Sequence, residues 1–137
     1  MYRTIMVPVD MAHVDRLDRS LRVSADLAKL YDATVVYVGV TTEAPSSVAH
    51  NPDEFEARLK AFAEAEMATH GHKARIRSYA THDPTSDLNK TLIEAVDEAG
   101  ADLIVMAGYL PSFADHFRRS HESVLLNRTE VSLLVVR

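Results

Sequence analysis

The sequence predicts a three-layer α/β domain in which helices cover both faces of a parallel β-sheet. Three observations carry that expectation. Short apolar runs rich in β-branched residues alternate with longer stretches of helical period, five runs against four stretches. The runs at 103–107 and 131–136 are almost wholly apolar, as strands buried on both faces are. No repeat, low-complexity tract or linker divides the 137 residues, so a single domain over 1–137 is expected.

The elements follow in order. Residues 4–9 are apolar and β-branched and read as the first strand, stopped by Asp10. Leu17, Leu21, Ser24/Ala25 and Ala28 then recur at i, i+4, i+7/8 and i+11, one apolar face of a helix over 14–30. Residues 35–40 are the second strand. Phe55, Leu59, Phe62, Ala63 and Glu66/Met67 repeat the helical spacing after Pro52, whose fixed φ and missing N–H suit a first turn. Residues 74–79 alternate weakly, as an edge strand does. Leu88, Leu92, Val96 and Ala99 mark a third helix, with Gly100 placed to end it in a left-handed cap. After the strand at 103–107, a short fourth helix is predicted near 120–128 with Ser120 as its N-cap, and the last strand at 131–136. Alternating β and α implies right-handed crossovers.

Composition excludes several functions. Lys and Arg number 15 against 20 Asp and Glu, a formal charge of −5, and the strongest basic cluster is Arg118-Arg119. No nucleic-acid partner is expected from that balance. The absence of Cys removes disulfides, thiolate nucleophiles and Cys-ligated metal. The N-terminal apolar run is too short for a signal peptide, and no window approaches the roughly 18 apolar residues of a membrane span. A cytoplasmic protein without membrane contact is expected. In parallel sheets ligands bind beyond the carboxyl ends of the strands, which places any site among residues 10–13, 41–51, 80–86 and 108–119.

Two motifs carry a resemblance. Tyr2-Arg3-Thr4-Ile5-Met6-Val7-Pro8-Val9-Asp10 resembles the opening of a universal stress protein, and Ala99-Gly100-Ala101-Asp102-Leu103-Ile104-Val105-Met106-Ala107-Gly108 resembles that family's fourth strand and following glycine. The resemblance implies a Rossmann-like fold of the adenine nucleotide alpha hydrolase type, with five parallel strands in order 3-2-1-4-5 and four helices. It also implies a homodimer formed by pairing of the last strand, through Val131, Leu133, Leu134, Val135 and Val136. An apolar edge of that kind is an association hazard unless something covers it.

Nucleotide-binding members of that family carry G-x2-G-x9-G-S/T after the fourth strand. Here Gly108 matches the first glycine, the second falls on Pro111, the third on His121 and the hydroxyl on Glu122. A short gap restores the hydroxyl as Ser120 but not the glycine. Proline has no N–H for a phosphate, and a carboxylate repels one. Residues 108–120 are more similar to the A-type members, which are not expected to hold ATP. The expected function is therefore a non-catalytic stress-response protein acting through dimerisation and an unidentified protein partner, with no cofactor. The alternative is an ATP- or AMP-binding member, with Mg, in which Pro8, Val9, Asp10, Val40, Gly108 and Ser120 hold the ligand.

Each candidate also has a structural reading. Asp10 either contacts an adenosine or caps the following turn. Val40 either flanks adenine or is simply core. His70 and His72 flank Gly71 at a helix end, where charge complements the macrodipole. With His82, His116 and His121 they form no metal pattern, and no metal is expected. Ser46, Ser47, Ser112 and Ser120 lack a nucleophile elbow, and the third strand ends in Ser78-Tyr79-Ala80 where a phosphoacceptor would need Asp; no enzyme is expected. Tyr109, Phe113 and Phe117, at i, i+4 and i+8, are either one face of a short helix packed on the domain or a partner surface. If the phosphate site is lost, Leu110, Phe113 and Phe117 are expected to fill part of it.

Overall fold

Every strand pairing in the computed structural model is parallel. It describes residues 1–108, 111–122 and 130–137, with side chains at 113–119 in the second of these segments. The strands are β1 (Thr4–Pro8), β2 (Thr34–Thr42), β3 (Lys73–Thr81), β4 (Leu103–Ala107) and β5 (Ser132–Val136), in sheet order β3-β2-β1-β4-β5. Between them lie α1 (Asp18–Tyr31), α2 (Pro52–His70), α3 (Pro84–Ala99) and α4 (Pro111–Glu122), with a 3-10 helix at Met11–Arg16. The Rossmann-like architecture and strand order are as the resemblance implied, and β3 is an edge.

The period of two along each strand divides the sheet into two cores. Ile5, Val7, Val35, Tyr37, Leu103 and Val105 point to the face where Leu17, Leu21 and Ala28 of the α1 region and Phe55 and Leu59 of α2 pack. Met6, Val36, Val38, Ile104 and Met106 point to the other, against Leu92 and Val96 of α3 and Phe113 and Phe117 of α4. Gly39 sits where α2 approaches most closely: a Cβ there would lie 2.8 Å from Phe55 Cζ. The missing side chain lets the Phe55 ring seat against β2.

The termini of the helices follow local chemistry. Asn51 accepts from the Glu54 N–H and Asp83 from the Ser86 N–H, each just before a proline that opens the helix. Gly71 and Gly100 end α2 and α3 at φ of 77° and 67°.

The fourth helix corrects the sequence reading. Its described part spans Pro111–Glu122, so it starts at Pro111 and not near 120, and Ser120 lies inside the helix where an N-cap was expected. The reason is the aromatic spacing: Phe113 and Phe117, at i and i+4, bury one helical face, at 0% and 7% exposure, and Pro111 suits a first turn. Residues 123–128, like Tyr109 and Leu110, lie outside the described residues. His72 is a second correction. Its side chain is buried with Nε2 2.8 Å from the Tyr37 hydroxyl, so it does not present a charge to the α2 terminus. Burial first, then repulsion from His70 and Lys29, lowers its pKa and favours the neutral ring.

Candidate functional site

A cleft of about 360 Å³ opens at the carboxyl ends of β1 and β2. Pro8 ends β1 and, with Val9 and Asp10, forms one wall; the Val9 N–H donates to the Val38 carbonyl at 2.8 Å and holds the exit of β1 against β2. Val38 and Val40 of β2 supply the second wall, and Pro84, Thr85, Leu88 and Leu92 of α3 the third. The lining is mostly apolar, with one carboxylate at the rim, and the volume falls within the roughly 300–1,000 Å³ of small-molecule sites.

Asp10 caps the following turn and also lines the cleft. Its Oδ1 accepts from the Ala12 N–H at 3.0 Å and caps the 3-10 helix, and its Oδ2 lies 2.9 Å from His13 Nδ1. A carboxylate has about four acceptor positions, so these contacts leave capacity toward the cleft that Asp10 also lines. Val40 is likewise double in role: half-buried, it packs on the second core and faces the cleft. Beside the cleft, hydrogen bonds from Ser86 hold the Asp83 carboxyl below the usual range and keep that cap ionised.

The remaining candidates are not brought to this place. Gly108 lines a different cleft, and its N–H donates to the Val136 carbonyl at 2.9 Å. Ser120, His121 and Glu122 lie on the backbone of α4. Inside a helix each backbone N–H bonds the carbonyl four residues earlier and is not turned toward a phosphate. Phe113 and Phe117 pack beneath α4 in the second core, with ring centroids 6.2 Å apart.

Of the last-strand residues, Val131 is buried in the second core, and Leu133 and Val136 pack against the two cores. Leu134 and Val135 remain 38% and 39% exposed. Among the described residues, no three His, Asp or Glu side chains are placed to share a metal ion. No helix among them is long and apolar enough to cross a membrane.

Sequence reasoning missed Val38, Pro84, Thr85, Leu88 and Leu92 as cleft residues. Pro84 and Thr85 lie in a segment it had marked for the site, but the helical period assigned Leu88 and Leu92 wholly to the core.

A five-stranded parallel sheet in this order, with a cleft at its carboxyl edge, defines the Rossmann-like α/β class. The family model described as Universal stress protein family matches residues 1–137. The chain belongs to the universal stress protein family. Universal stress protein G of Escherichia coli O157:H7 is 26% identical over 148 aligned residues, covering 100% of each chain. The solved structures confirm the fold. A universal stress protein family member from Burkholderia pseudomallei superposes with a TM-score of 0.69 at 23% identity, over 98% of this chain and 96% of that one. The Archaeoglobus fulgidus universal stress protein in complex with dAMP gives 0.66 at 21%, over 99% and 98%. A universal stress protein in complex with cAMP gives 0.64 at 20%, over 99% and 97%.

Proposed function

We propose that this chain is an A-type universal stress protein: a non-catalytic, cytoplasmic stress-response protein that self-associates through β5, contacts a protein partner and does not hold ATP. The observation that carries the reading is α4. The positions matching the family's third glycine and hydroxyl lie within this helix and not in a loop, and Pro111, at the second glycine, opens it without an N–H. The one matching glycine has its N–H engaged by Val136. This supports a segment with fewer backbone donors for phosphates than the family's glycine motif supplies. For self-association, β5 has a neighbour on one side only, and Leu134 and Val135 are exposed there on opposite faces.

The test is calorimetric titration of the purified protein with ATP-Mg. No saturable binding is expected below about 1 mM, roughly −4 kcal/mol. Micromolar binding abolished by Asp10→Ala would reverse the reading.

A second reading is favoured by the first cleft. Pro8, Val9, Asp10 and Val40 line a volume suited to a small molecule, and two of the structural relatives are complexes with dAMP and cAMP. The cleft would then hold the nucleoside part of an AMP-like ligand, with its phosphate outside any glycine cradle. Chromatography of nucleotide released from heat-denatured protein separates the two: an AMP peak at a stoichiometric amount supports the second reading, and its absence the first.

A further inference from the structure

A second cleft, of about 460 Å³, lies at the carboxyl ends of β4 and β5 beside the start of α1. Its walls carry Arg16 from the end of the 3-10 helix, Arg19 from the first turn of α1, and Arg137 just beyond β5. In a chain of net charge −5, three arginines line one opening, partly offset by the main-chain carboxyl group of Arg137.

These arginines are only partly engaged by the fold. Among the described residues, none of the side-chain ion pairs involves Arg16, Arg19 or Arg137. Arg19 Nη1 donates to a main-chain carboxyl oxygen of Arg137, the last residue of the sequence, at 3.0 Å, a charge-assisted contact that engages one side of the Arg19 fork. The other polar groups lining the cleft are already spent: the Gly108 N–H donates to Val136, and the Ser20 hydroxyl donates to the Leu17 carbonyl at 2.9 Å. Donors for a ligand are thus the guanidinium groups themselves.

Gly108 has a steric part in this arrangement. A Cβ there would meet Arg137 Cγ at 3.2 Å, so the bare glycine lets the Arg137 stem lie across the end of β4. The first turn of α1, whose N-cap Leu17 makes no side-chain hydrogen bond, adds to the positive field without creating it.

We infer that this cleft binds a compact polyanion of the diphosphate class, as carried by phosphorylated small molecules. A guanidinium fork matches the oxygens of a phosphate bidentately. Arg16 and Arg137 offer their forks and Arg19 its remaining N–H groups, which suits the several charges of a diphosphate; a monocarboxylate carries one charge and cannot engage them all. The inference does not depend on what the first cleft holds, because among the described residues the two clefts share no lining residue.

The probe is sodium pyrophosphate, titrated calorimetrically into the full chain at fixed ionic strength. Saturable one-to-one binding is expected, weakened about tenfold or more in Arg16→Gln/Arg19→Gln. Gly108→Ala should weaken it by a smaller factor, by displacing Arg137. Arg22→Gln, which removes one exposed α1 charge outside the cleft, should change binding by less than about twofold. Thermal melts confirm that each variant is folded. Absence of saturation up to about 10 mM, roughly −3 kcal/mol, overturns the inference. So does an equal loss in Arg22→Gln, which would mean a diffuse field. Citrate binding as tightly as pyrophosphate overturns the assignment to the phosphate class.

Discussion

Replacing Tyr37 by Phe removes one oxygen and changes little else. That oxygen lies 2.8 Å from His72 Nε2, and both side chains are buried, Tyr37 at 0% and His72 at 6% exposure. The other ring nitrogen, Nδ1, is buried without a hydrogen-bond partner. In Tyr37→Phe both nitrogens of His72 are therefore desolvated and unpaired. The loss is expected to be about 1–3 kcal/mol, the cost of leaving a buried polar group unsatisfied. Tyr37→Phe/His72→Leu removes both partners and should recover much of it, because an apolar pair of similar shape leaves nothing unsatisfied. Urea denaturation monitored by circular dichroism measures both, as a shift in midpoint at constant slope. The pH dependence gives an independent check. His72 has its folded pKa lowered, so as pH falls below the ordinary value of about 6.5 the unfolded chain takes up a proton that the folded chain resists. Stability should fall from pH 7 toward pH 5.5, and the slope should flatten in His72→Leu. Glu66, whose carboxyl is raised chiefly by burial, works oppositely, favouring the folded state as pH falls toward its ordinary value of 4.5. Its contribution survives in the His72 variant. A Tyr37→Phe protein within about 0.5 kcal/mol of the parent, with an unchanged pH slope in His72→Leu, would refute the reasoning.

Three further outcomes are expected. Gly39→Ala should destabilise by about 1–3 kcal/mol, because its Cβ falls 2.8 Å from the Phe55 ring, and Phe55→Leu in the same chain should relieve part of that loss. Asp10→Ala, which removes the cap on the 3-10 helix and the His13 contact, should cost about 0.5–2 kcal/mol in urea midpoint. Leu134→Lys places a charge on the exposed side of β5 and should convert a species of twice 15.2 kDa into a monomer in light scattering; a parent protein already monomeric at micromolar concentration removes the proposal of self-association through β5.

The sequence by itself determined the alternation of strands and helices, because period and turn chemistry are local. Gly100 caps α3 whatever α3 packs on, and Pro52 opens α2 from its own fixed φ. It also held half of the site: Pro8, Val9, Asp10 and Val40 were named from motifs and do share one cleft. Tertiary structure decided the rest. Leu88 and Leu92 face both core and cleft, and only the approach of α3 to β2 shows the second role. The Gly108 N–H is spent because β5 pairs in a register that puts the Val136 carbonyl beside it. The helix over 111–122 is drawn by burial of Phe113 and Phe117 in a core built by β2, β4 and α3, segments that come before it in the chain. Arg137 stands far from Arg16 and Arg19 in sequence, and their shared cleft exists because β5 returns beside β4, next to the start of α1. Periodicity reports which face of an element is apolar; where that face meets another depends on contacts between distant segments, which no local pattern encodes.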